Sequence, residues 1–111
     1  DPEAGLMRLG GDKRLYHSML DRFIERWCSD RLYLAEIIAA GGDESVRSAH
    51  TLRGAAASIG ADRVASLAGG IETALRRGEQ AGEQISLLVD ALERVAEAAA
   101  EKELESNYTK A

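Results

Sequence analysis

Residues 49–61 read AHTLRGAAASIGA, and the pattern inside that run sets the fold. Leu52, Ala56 and Ile59 fall at three- and four-residue steps, and the same spacing reaches back through Ala49 to Val46. That is one apolar stripe on a helix. Gly60 marks its end. At about 100° per residue, His50 lies roughly 120° from the centre of the stripe, on the exposed side. Arg53, Gly54 and Ala57 follow three, four and seven positions later, so they share the face of His50, and Arg47 lies one turn before it. Glycine inside a helix costs about 1 kcal/mol relative to alanine. Gly54 therefore points to close approach by something outside this helix. Histidine changes charge near neutral pH. Small neighbours leave its ring accessible to a partner.

The rest of the chain is equally helical in pattern. Alanine, leucine, arginine and glutamate dominate, and all are good helix formers. The only proline is Pro2, so nothing after it removes a backbone donor. Asp1-Pro2-Glu3 is expected to open a short helix ending at Gly10-Gly11. Asp12 is placed to cap the next, whose stripe is Tyr16, Met19, Leu20, Phe23, Ile24 and Trp27. Ser29 or Asp30 offers a second cap before Leu32, Leu34, Ile37 and Ile38, which reads either as a kink or as a new helix. Gly41-Gly42 ends this stretch, and Asp43 is expected to cap the His50 helix. A further helix is expected over about 62–77, with Val64, Leu67, Ile71 and Leu75 inward. Arg76 and Arg77 suit its C-terminal dipole, and Gly78 closes it. The last helix is expected from Glu83, with Ile85, Leu88, Leu92 and Val95 inward. Beyond Ala100 the stripe is lost. Residues 1–100 thus read as one all-α domain, an antiparallel up-and-down four-helix bundle with a short N-terminal helix. Residues 101–111 read as a fraying helix end or tail.

Bulk properties narrow the function. A net charge of -5 argues against nucleic-acid binding. No apolar run is long enough to span a bilayer, and no direct membrane contact is expected. Cys28 has no partner for an internal disulfide, which suits a reducing compartment. Its expected role is that of a small buried hydrophobe near a helix end. No phosphate-binding glycine loop is present. Two histidines and one cysteine make no zinc pattern, and no Glu-x-x-His pair occurs, so no metal site is expected. His17 reads as an ordinary surface histidine.

His50-Thr51-Leu52-Arg53-Gly54, followed by small residues and then Gly60 ten positions after the histidine, resembles the core pattern of histidine-containing phosphotransfer (HPt) domains of bacterial phosphorelays. GGDKRLYHSMLDRF (10–23) looks like that family's entry helix. IAAGGDESVRSAH (38–50) looks like its turn into the histidine helix, and LAGGIETALRRGE (67–79) like the helix that follows. The resemblance covers nearly all of residues 5–100. It implies that His50 is the phosphoacceptor, receiving a phosphoryl group from an aspartyl phosphate of a receiver domain and passing it to a response-regulator receiver. Arg53 stands where the family usually has lysine, and by that resemblance would steady the phosphoryl oxygens, as a planar fork rather than a point charge. The resemblance also places Glu72, twenty-two positions after His50, where it can accept from the inner ring nitrogen. A neutral imidazole has one donor and one acceptor nitrogen, so this would leave Nε2 its lone pair. Arg47, Gly54 and Ala57 would line the docking surface.

The resemblance implies no cofactor held by this domain, with Mg²⁺ carried by the partner receiver. The expected partners are receiver domains of response regulators or of a hybrid kinase, the domain itself being monomeric. Asp1 is not an initiator methionine, so a larger parent is expected, such as a hybrid sensor histidine kinase with this domain at its C-terminus. The expected location is the cytoplasm, or the cytoplasmic end of a membrane-bound kinase. The domain reads as a phosphocarrier more than an enzyme. The alternative is a helical-bundle adaptor that docks receivers without being phosphorylated.

Overall fold

The computed structural model describes residues 2–4 and 12–110, with side chains through Leu104. Residues 2–4 are helical, and the rest of the expected N-terminal helix lies outside the described residues. Five helices follow: α1 (Lys13–Phe23), α2 (Arg31–Ala39), α3 (Asp43–Ser58), α4 (Asp62–Arg76) and α5 (Gly82–Lys110). No strand occurs among the described residues. None of their helices is long and apolar enough to cross a membrane. The fold is an all-α bundle, as the stripes predict.

The first long arm is bent. Asp12 caps α1, its Oδ1 accepting from the Leu15 N–H at 3.0 Å. After Phe23 the chain widens into one π-helical turn, Ile24–Cys28, where the Ser29 N–H donates to the Ile24 carbonyl at 2.9 Å. The extra residue per turn lets Trp27 and Cys28 both be buried although they are adjacent. A new helix then starts. Asp30 occupies its cap position without a side-chain bond, and the Arg31 guanidinium donates to the Cys28 carbonyl at 3.0 Å. The expected break is therefore a π turn followed by a fresh helix. Leu34 and Ile38 point inward, four residues apart, but Leu32 is 70% exposed. The π turn resets the helical phase, so of Leu32, Leu34, Ile37 and Ile38 only Leu34 and Ile38 are buried.

The π turn and α2 pack against α5, α2 against α3, α3 against α4, and α4 against α5, which closes the ring of the bundle. Ile38, Leu52, Ile71, Leu88 and Leu92 fill its centre. α5 is 29 residues long, about 43 Å at 1.5 Å per residue, and accounts for most of the 52 Å long axis. Its backbone stays helical ten residues past Ala100, while residues 101–104 are all exposed.

Two turns fix the relative placement of α3, α4 and α5. Gly60 and Gly78 adopt φ values of +74° and +72°, the left-handed region that costs other residues energy. After Gly60 the Ala61 N–H reaches back to the Ala56 carbonyl at 2.9 Å. After Gly78 the Glu79 N–H reaches Ala74 at 2.9 Å. Each is a Schellman closure of the preceding helix. At the start of α3 the expected cap is shifted by one residue. Gly42 holds the cap position, and Asp43 sits in the first turn, where its charge still complements the dipole. The side chain that ties this corner together is Ser45. It is 1% exposed, and its hydroxyl lies 2.6 Å from the Ile37 carbonyl and 2.9 Å from that of Gly41. Ser45→Ala should lower the unfolding free energy by about 0.5–1.5 kcal/mol, since it removes the hydroxyl that bonds these two carbonyls. An unchanged denaturation midpoint would contradict that account of the corner.

Candidate functional site

The face of α3 opposite its core stripe carries the site. Ala49, Leu52 and Ala56 are fully buried, which turns His50 outward with a side chain 58% exposed. Arg53 and Gly54 are exposed on the same face, and Ala57 is partly buried. A Cβ placed on Gly54 would meet no other heavy atom within 4 Å. Packing inside this molecule therefore does not demand a glycine there. Arg47, one turn earlier, lines a cleft of about 620 Å³ together with Gly42, Asp43, Val46, Leu75 and Arg76.

α4 brings the counterpart. Glu72 is one of two buried polar residues among the described ones and is only 5% exposed. Its carboxylate meets three partners. The His50 Nδ1–H donates to Oε2 at 3.0 Å and faces Oε1 at 3.2 Å. The Arg76 Nε–H and Nη2–H donate to Oε2 at 3.1 and 2.8 Å. The Arg53 Nη1 stands 3.6 Å from Oε1. These partners explain how a buried carboxylate stays charged. The hydrogen bonds from Arg76 hold its carboxyl below the usual carboxylate range. Burial opposes them, and His50 and Arg53 add to the lowering. An ionised carboxylate accepts only, so the shared hydrogen sits on Nδ1. In the neutral ring the lone pair is then on Nε2, the nitrogen away from the carboxylate.

The structure thus brings together His50, Arg53 and Glu72, and leaves Arg47 beside them on the cleft. Two residues are added. Arg76, expected only as a dipole partner, is the closest donor to Glu72; its signal was the Glu-to-Arg spacing of four on one helix face. Gly69 is the other. A Cβ there would stand 3.2 Å from the Arg53 Cδ, so the bare backbone of α4 gives the arginine stem room to lie across it. His17 stays on α1, edge-on to Tyr16 with ring centroids 5.8 Å apart. Cys28 is buried, and burial pushes its thiol up to about 11. Among the described residues no group of three or more His, Cys, Asp or Glu is placed to hold a metal ion.

The family model described as Hpt domain matches residues 18–102, which include α2, α3, α4 and the site between them. The chain belongs to the Hpt domain family. Membership gives it a phosphotransfer role in phosphorelays of two-component signalling, and implies interaction with receiver domains of response regulators. No curated protein and no solved structure matches the chain significantly.

Because Glu72 is ionised more readily folded than unfolded, its stabilisation is present above the unfolded carboxyl value of about 4.3 and is lost as pH falls through the lower folded value. The melting-temperature gap between the wild-type protein and Glu72→Gln should therefore be full near neutral pH and shrink in acid. Thermal melts from pH 7 to pH 3 check this, and a gap that widens in acid would contradict it.

Proposed function

We propose that His50 is the phosphoacceptor of a phosphorelay step between two receiver domains. The observation that carries this reading is the pairing of an outward imidazole with a buried carboxylate on its inner nitrogen. The Nε2 lone pair attacks the phosphorus of a receiver aspartyl phosphate. The N–P bond forms as the O–P bond breaks, and the aspartate carboxylate leaves. With Nδ1 still protonated the ring gains positive charge as the bond forms, and the adjacent Glu72 carboxylate compensates it. The next receiver reverses the step, its aspartate oxygen attacking and Nε2 leaving.

The other residues divide the work. Arg53 is half-exposed beside the ring, and its planar fork suits phosphoryl oxygens. Arg47 adds positive charge one turn away. Gly54 and Ala57 leave a low surface over which a receiver approaches Nε2. Mg²⁺ and the accepting aspartate belong to the receiver, and this domain contributes a nucleophile, a cation and a docking face.

Incubation with a phosphorylated receiver that serves as donor should place an acid-labile, base-stable label on the protein. His50→Gln should abolish the label while His17→Gln keeps it. Label that survives His50→Gln would overturn the assignment and leave the adaptor reading. Gly54→Leu should block transfer by bulk, with the thermal midpoint little changed, because space around that Cβ is open. Transfer at the wild-type rate would remove the argument from the bare face. Arg53→Ala should slow transfer by about 10- to 100-fold. A loss of stability without a loss of rate would assign Arg53 to structure instead.

A further inference from the structure

A carboxylate that holds a histidine by its inner nitrogen has two effects that oppose each other. It orients the ring and frees Nε2, but its charge also favours a second proton on the ring, which would remove the lone pair that attacks. The groups around Glu72 resolve the conflict. Among the described residues the charged groups that meet it are cationic or the imidazole itself: Arg53 and His50 from α3, Arg76 from its own helix. Arg76 makes the shortest contact, 2.8 Å from Nη2 to Oε2, and adds a second bond from Nε at 3.1 Å. Both fall on the oxygen that also lies closer to Nδ1. Arg53 stands further off at 3.6 Å and faces the other oxygen. It is also the arginine assigned to the phosphoryl group, so its hold on Glu72 weakens when it turns to that task. Arg76 is left as the constant partner.

We propose that Arg76 is a positioning residue for phosphotransfer: it fixes the Glu72 carboxylate and offsets its charge, so that Glu72 orients the His50 ring without drawing a second proton onto it. Arg76 sits in the last turn of α4 with a side chain 59% exposed, so it carries little of the core. Its effect passes through Glu72 and does not require contact with the phosphoryl group. The proposal deepens the reading of His50 as acceptor and rests on it, but the ring can be probed without any phosphate.

Diethyl pyrocarbonate reacts only with an unprotonated imidazole nitrogen. The nitrogen bonds to a carbonyl carbon, and ethyl carbonate leaves as carbon dioxide and ethanol. The pH dependence of that rate therefore reports how much of the His50 ring holds a free lone pair. The chain has two histidines, so the measurement follows the ultraviolet absorbance of the N-carbethoxyimidazole in a His17→Gln background, where His50 is the one histidine left. Arg76→Ala should move the half-maximal rate to a pH about 1 unit higher. Arg76→Lys, which restores the charge but not the fork, should return most of that shift. In a Glu72→Gln background, Arg76→Ala should move the profile by much less, because the charge it offset is gone. Should Arg76→Ala fail to fold, Arg76→Gln keeps the length and gives the same readout. A profile unmoved by loss of Arg76 would overturn the proposal. So would an equal shift with and without the Glu72 charge, which would mean that Arg76 acts on the ring directly. Loss of the acceptor assignment would show instead as phosphoryl label persisting in His50→Gln, with this titration unaffected.

Discussion

A carboxylate at 5% exposure between two helices is the constraint around which this protein is arranged. An isolated charge buried that deeply would pick up a proton or force the helices apart. Glu72 does neither because it is met from two directions, by His50 and Arg53 of α3 and by Arg76 of α4. The three partners stay roughly half-exposed, so their charges remain hydrated and the cost of burial falls on one group. Close approach of the helices makes this reach possible. Ala49 and Ala56 on α3 and Ala68 on α4 are fully buried, and such small residues allow two backbones to lie near each other. The Schellman turn at Gly60 sets the register that places residue 72 beside residue 50.

The same arrangement separates stability from function on one helix. The buried stripe of α3 packs the bundle, and its other face adds to the fold only the contacts of His50 and Arg53 with Glu72. Gly54 contributes no contact through its missing side chain, and His50 spends only its inner nitrogen on the fold. What remains is an imidazole nitrogen at the surface, a nearby guanidinium and room for a second protein. That combination fits the phosphotransfer role of the Hpt domain family.

Much of this was legible in the residues because helices announce themselves by period. The stripes through Phe23, Leu52, Ile71 and Leu88 predicted the bundle, and the glycines at 41–42, 60 and 78 predicted its corners. His50 stood out because its face carries so little. The misses share a physical origin. Whether the chain kinks or restarts after Cys28 stayed open, because a period of 3.6 residues does not reveal the π turn at Ile24–Cys28 that precedes the new helix. Ser45 looked like any polar residue in a first turn, yet it is buried against carbonyls eight and four residues back. Glu72 entered through family resemblance rather than pattern, since a contact across two helices depends on their register, which no single stripe encodes. Arg76 was read only against the dipole of its own helix for the same reason.

The most direct test of the account is the position of the phosphoryl group on the ring. Nitrogen-15 NMR of the imidazoles, recorded before and after phosphorylation by a receiver, distinguishes the two nitrogens of each histidine. The account predicts a hydrogen on Nδ1 of His50 beforehand and a phosphoryl group on Nε2 of His50 afterwards. A phosphoryl group on Nδ1, or one on His17, would contradict it.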